Sequence, residues 1–223
     1  MGIQKNLAKI KEQIGNINVK IIAVTKYASE EQLQEAYRVG INNFGESYVQ
    51  DALEKLSTNF PGANSENPVQ WHFIGRLQKN KVKSVVGRFF LIHSVDSSEL
   101  AEKINEIAEK SNIIQNVLLQ VNISGESSKA GFLENELKTK YSELNILGNL
   151  RVLGLMTIAP KTDDGRITKD VFNRLKELKD ELNKKYGNGL KELSMGMSND
   201  YKMAVQCGAT MLRIGRAIFN SEV

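Results

Sequence analysis

Cysteine is nearly absent: Cys207 stands alone in 223 residues, so the chain can form no internal disulfide and no cluster of thiolates for a metal. That scarcity fits a reducing compartment, and the expected location is the cytoplasm. Histidine is almost as scarce, with two residues, and no spacing of His, Cys and carboxylates reads as a metal site. A large charge of one sign is lacking too. The 30 Lys and Arg face 26 acidic residues, and the densest basic stretch (Lys79, Lys81, Lys83, Arg88) has no interleaved aromatics on which bases could stack, which argues against nucleic acid. No long apolar run exists at the start of the chain. The segment MGIQKNLAKIKEQIG is amphipathic and lysine-rich, unlike a signal peptide or membrane span, and Asn6 stands where a myristoylation motif needs Ser or Thr.

What the chain does contain is a regular alternation. Hydrophobic residues make up 41%, enough apolar surface for a sizeable core, and the length suits one domain over residues 1–223. Eight short apolar runs read as strands: 19–25, 41–44, 70–75, 89–94, 115–122, 151–157, 191–194 and 211–215. Helical patterns fill the gaps, with recognisable punctuation. Ser29 opens a Ser-x-x-Gln capping box, Gly40 suits a left-handed C-cap, Asp96, Ser97 and Ser98 offer caps, and Gly187 and Gly189 close a long amphipathic helix. The one loop-rich stretch surrounds Pro61, Asn64 and SENP, and is too short for a domain linker. Strand–helix repetition of this kind predicts a parallel α/β fold, a (β/α)8 TIM barrel, with an open doubly wound sheet as the competing topology.

In a parallel barrel the chemistry collects where strands end at their C-terminal edge. The first strand runs into Lys26, the second into Gly45, Glu46 and Ser47, the third into Gly75, and the fifth into Asn122 and Ser124. The seventh leads into SMGMS from Ser194 to Ser198, and the eighth carries Arg213 and Gly215. A lysine at the end of a buried strand is desolvated, which frees its amine to condense with an aldehyde. Gly215 and Arg216 open a short final helix, and main-chain amides there, with the Ser198 hydroxyl, suit a phosphate. Taken one at a time, each of these residues also has an ordinary structural reading as a strand-end lysine, a packing glycine or a cap. His72 and His93 lie inside apolar strands and read as core histidines, and Met195 and Met197 read as gap fillers.

The blocks TKYAS, FGESYVQDALEK, WHFIGRLQKNK, HSVDS, LLQVNISGESSKAGF, GLMTIAP and LSMGMSNDYKMAVQCGATMLRIGRAIF resemble, in order and through almost the whole chain, the pyridoxal phosphate homeostasis protein family. These are barrel proteins similar to the N-terminal domain of alanine racemase. The resemblance implies pyridoxal 5′-phosphate (PLP) as cofactor and Lys26 as the lysine that holds it in a Schiff base. It implies Ser198 with the Gly215 and Arg216 amides as the phosphate cradle, and Arg213 as partner of the pyridine nitrogen. Ser47 and Ser194 are lesser cofactor contacts. Ser47 stands where the family usually has Asn, Arg216 where a small hydroxyl residue is common, and Asn220 where a glycine is usual. The implied role is to carry or buffer PLP for apo-enzymes that need it, without turnover and without metal or membrane. A PLP-dependent racemase is the alternative, and racemases of this type append a second domain for which the chain has no residues left. A phosphate-binding barrel for another metabolite would dispense with the Schiff base.

Overall fold

Each apolar run forms a strand where its β-branched and aromatic residues can be enclosed on both faces. The computed structural model describes residues 2–15, 17–57, 68–187 and 189–220. The strands are β1 Lys20–Val24, β2 Asn43–Glu46, β3 Gln70–Phe73, β4 Leu91–Val95, β5 Gln115–Gln120, β6 Leu150–Met156, β7 Glu192–Ser194 and β8 Met211–Ile214. All neighbours run parallel, and β1 pairs with both β2 and β8 (Ala23 opposite Ile214), so the sheet closes on itself in the order β1 to β8. The open doubly wound sheet, which would leave two free edges, is ruled out. The fold is the expected (β/α)8 barrel.

Helix α1 (Ile3–Ile14) precedes the barrel. The connections hold α2 (Glu30–Arg38), α3 (Val49–Ser57), α4 (Val82–Val85), α5 (Ser98–Lys110), α6 (Glu134–Asn145), α7 (Gly165–Tyr186) and α8 (Tyr201–Gln206), and α9 (Arg216–Phe219) follows β8. Strand alternation divides the core in two. Ile22, Leu91, Leu118, Met156 and Met211 fill the barrel interior, while Ala23, Phe44, Ile92 and Leu119 face outward to meet Leu33, Ile104, Phe172 and Leu175 of the helices. The loop-rich stretch expected around Pro61, Asn64 and SENP falls mostly within 58–67, outside the described residues.

The second strand lies two residues later than the sequence predicts, so that Gly45 and Glu46 belong to the strand, opposite His72 and Phe73. Gly and Glu are poor strand formers. Close packing accounts for one: a Cβ on Gly45 would lie 2.9 Å from Ile22 Cγ2. Glu46 is fully enclosed, which its ion pair with Lys55 of α3 and the Thr25 hydroxyl allow. Gly75 is held by a still closer approach, since a Cβ there would stand 1.9 Å from the Ser47 carbonyl oxygen.

Helix punctuation follows the sequence signals. Ser29 and Gln32 form the capping box of α2, with Ser29 Oγ accepting from Gln32 N–H at 3.3 Å and Gln32 Oε1 accepting from Ser29 N–H at 3.0 Å. Ser97 caps α5, and Gly187 closes α7 in the left-handed conformation. Replacing Ser29 by alanine is expected to cost about 1 kcal/mol, read as a lower urea midpoint at unchanged slope. An unchanged midpoint would mean that the cap does nothing for α2.

Helix α1 braces the last elements. Its apolar face buries Ile3, Leu7, Ile10 and Ile14, Asn6 Nδ2 donates to the Ile218 carbonyl at 2.9 Å, and Gln13 accepts from the Tyr201 hydroxyl. Gln32 Nε2 donates to the Phe219 carbonyl at 3.1 Å. Carbonyls at the end of the one-turn α9 are thereby satisfied, and its first turn is fixed at the barrel mouth.

Candidate functional site

The β1–β8 pairing brings the residues after both strands to one edge of the mouth. Thr25 is fully buried, but Lys26, one residue further, is exposed, with Nζ 4.9 Å from the centroid of the Tyr27 ring. The sequence reading put Lys26 in a desolvated position. The strand stops at Val24, and the turn that follows carries the side chain out over the rim. Its backbone is nevertheless anchored. Thr25 Oγ1 donates to Glu46 Oε1 at 2.5 Å, Lys55 Nζ donates to the Thr25 carbonyl at 2.7 Å, and Lys55 and Glu46 form an ion pair. Thr25, Glu46 and Lys55 thus tie the end of β1 to β2 and α3 directly beneath Lys26. Lys55 is not singled out in the sequence, and only the tertiary fold reveals the cluster.

On the β7 and β8 side, Ser198 Oγ accepts from Ala217 N–H at 3.3 Å, and among the described residues its own O–H has no acceptor. Arg216 is exposed, and its Nη2 donates to Asn199 Oδ1 at 3.3 Å. Gly215 lies against β1: a Cβ there would meet the Val24 carbonyl oxygen at 3.2 Å and Val24 Cβ at 3.3 Å. A larger residue there would push the end of β8 away from β1. Ser47 is half-buried after β2, its carbonyl covered by Gly75. These four positions lie around one rim.

Arg213 lies lower, enclosed to 5% exposure. Nη1 donates to Ser194 Oγ at 2.6 Å and Nη2 to the Thr157 carbonyl at 2.9 Å, and among the described residues no carboxylate lies within ion-pair distance. Burial pushes the guanidinium down to about 10, opposed by the more distant Asp200, so it remains charged at neutral pH. Asp200 itself accepts from Met197 N–H at 2.5 Å, and burial raises its carboxyl above the usual range. Two of the five guanidinium N–H groups are thus anchored, and the others remain for an acceptor.

Ser194, expected as a minor cofactor contact, is fully buried behind Arg213. Its hydroxyl is engaged by Arg213 and, at 2.9 Å, by His93 Nδ1, which removes it from the rim. His93 in turn meets His72. Both histidines are satisfied core residues, as the sequence reading has it, but they stand directly behind an expected site residue. Met195 is buried in the core and Met197 is 38% exposed. Asn122 organises its own loop, with Nδ2 donating to the Glu126 carbonyl at 2.9 Å and Oδ1 accepting from Gly125 N–H at 3.1 Å. Among the described residues no group of three or more His, Cys, Asp and Glu could hold a metal, and no helix is long and apolar enough to cross a membrane.

Residues 2–222 match the family described as alanine racemase, N-terminal domain. The pyridoxal phosphate homeostasis protein of Aquifex aeolicus is 42% identical over 203 residues, covering 91% of this chain and 87% of that protein. PipY of Synechococcus elongatus, whose structure was solved with PLP bound, superposes with a TM-score of 0.88 at 34% identity, covering 98% of this chain and 100% of the other. An alanine racemase of Clostridium difficile shares the fold at a TM-score of 0.79 and 19% identity, and this chain covers 58% of its length. Matches of this extent identify the chain as a member of the pyridoxal phosphate homeostasis protein family.

Proposed function

We propose that this chain, acting as one barrel domain, holds PLP at its C-terminal mouth through Lys26 and serves to store and deliver it, without turning over a substrate. The observation that carries this reading is the convergence at one end of the barrel of a primary amine and a set of anion donors on the rim, with a buried guanidinium below them that has no carboxylate paired to it among the described residues. When bound, PLP supplies an aldehyde that condenses with an amine, C=N forming as water leaves, and a ring that withdraws electrons. The residues present fit that group.

Lys26 is exposed on the rim, where an aldehyde can reach its amine, while Thr25, Glu46 and Lys55 keep its backbone in place. The Ser198 hydroxyl, free to donate, and the first-turn amides of α9 bind the phosphate, with the exposed Arg216 adding charge. Gly215 lets the main chain come close. Arg213 only donates, so as partner of the ring nitrogen it would meet an unprotonated acceptor there. An unprotonated ring is the weaker electron sink, which suits storage better than carbanion chemistry. Support for storage over catalysis comes from the relatives named for homeostasis, which this chain matches over nearly their full length. Delivery to apo-enzymes in the cytoplasm completes the reading.

Titration with PLP and visible spectroscopy test it. The wild-type protein is expected to develop an imine band that Lys26→Ala loses, and to show no stereoinversion of alanine near the enzyme-like rate of about 1 s⁻¹. A band undiminished in Lys26→Ala, or racemisation at that rate, would overturn it.

A further inference from the structure

Behind Arg213 a single hydrogen-bonded chain crosses the barrel from β2 to β8. Asn43 Nδ2 donates to Asn42 Oδ1 at 2.7 Å, which turns Asn43 Oδ1 toward His72 Nε2 at 3.0 Å. His72 Nδ1 lies 2.9 Å from His93 Nε2, and His93 Nδ1 lies 2.9 Å from Ser194 Oγ. Ser194 Oγ then meets Arg213 Nη1 at 2.6 Å. Both imidazoles and Ser194 are completely enclosed.

The roles along this chain follow from its two ends. Asn43 Oδ1 only accepts, so His72 carries its hydrogen on Nε2 and offers Nδ1 as an acceptor. His93 must then donate from Nε2 and accept at Nδ1. Ser194 fills that vacancy with its O–H, and keeps its lone pairs for the guanidinium, which can only donate. The opposite direction fails at the serine. There, both His93 and Arg213 would donate to Ser194, and the serine's own hydrogen would be left without an acceptor in an enclosed site, at the cost of a buried unmet donor. One direction satisfies every atom.

We propose that Asn43, His72, His93 and Ser194 are positioning residues: a one-directional, uncharged relay that fixes the plane and height of Arg213 and leaves its charge unneutralised for whatever acceptor sits at the mouth. A carboxylate in the place of Ser194 would hold the arginine equally well but would quench it. The relay does neither harm. Its consequence for PLP rests on the function proposed above, whereas the arrangement of its protons does not depend on any ligand.

Two measurements separate the relay from that reading. With only two histidines in the chain, two-bond ¹H–¹⁵N spectra of the ligand-free protein report both rings directly. Both are expected neutral with the proton on Nε2 at pH 7, and a proton on Nδ1 of either ring, or an imidazolium, overturns the relay. The second measurement compares Ser194→Ala with Ser194→Thr, which keeps the hydroxyl. Ser194→Ala is expected to weaken PLP about tenfold, the worth of one hydrogen bond to a charged group, to shift the visible band, and to disturb the His93 resonances. Ser194→Thr is expected to restore all three. If wild-type protein takes up no PLP on Lys26, the functional reading fails while the tautomers still decide the relay. If it does, and Ser194→Ala matches it in affinity, band and His93 resonances, the positioning role is wrong and the site stands. A Ser194→Ala protein that does not fold leaves the decision with the wild-type tautomers, and those of Ser194→Thr must agree with them.

Discussion

Lowering the pH from 7 to 5 is expected to remove on the order of 4 kcal/mol of stability, because two histidines are buried uncharged. Burial, with Lys20 nearby, pushes His72 from its ordinary 6.5 down to about 3. Burial likewise lowers His93, helped by His72, Arg213 and Lys20. As the pH falls below 6.5, the unfolded chain takes up protons on these rings while the folded chain cannot, so the unfolded state gains. The stability is present above the unfolded value and is lost progressively toward the folded one. At pH 5 that is about 2 kcal/mol per ring. Asp200 and Asp96 act in the opposite sense, since burial raises both carboxyls and the folded chain protonates them first. Their protonation offsets part of the loss as the pH falls. Urea midpoints at pH 7, 6 and 5 should reveal proton uptake on unfolding that approaches two per molecule. Stability that stays flat over this range would contradict the enclosed neutral pair.

Pyridoxal lacking its phosphate is expected to bind on the order of a hundredfold more weakly than PLP. Two charge-assisted hydrogen bonds at about 1.5 kcal/mol each supply that factor. The donors are the Ser198 hydroxyl, left free because its oxygen already accepts from Ala217 N–H, and the first-turn amides beside Gly215. Arg216 is exposed, so its share should fade with added salt. Comparable dissociation constants for the two compounds would remove the ends of β7 and β8 from the site.

The fold was legible because each strand is a short apolar run between helical patterns, and the C-terminal edge rule then raised Lys26, Ser198, Gly215 and Arg216 as candidates whose roles came from the family resemblance. Strand β2 was misplaced by two residues because Gly45 and Glu46 owe their place to tertiary packing and to Lys55, which no local pattern encodes. The burial expected for Lys26 failed for a related reason. Strand β1 ends before it, and the buried residue is Thr25. Ser194 looked like a rim residue because it opens SMGMS at the end of its strand, but in the barrel it faces Arg213 from below. The relay has its own faint trace: His72, His93, Ser194 and Arg213 are buried polar residues that each follow or interrupt apolar residues of a strand. Such a residue points either into the barrel or toward the helices, and only closure of the sheet brings the four together.

Attachment of PLP to Lys26 is what the proposed function requires first. Reducing the PLP-loaded protein with borohydride and mapping its peptides is expected to place the pyridoxyl group on Lys26. Its appearance on another lysine, with Lys26 unmodified, would contradict the central claim.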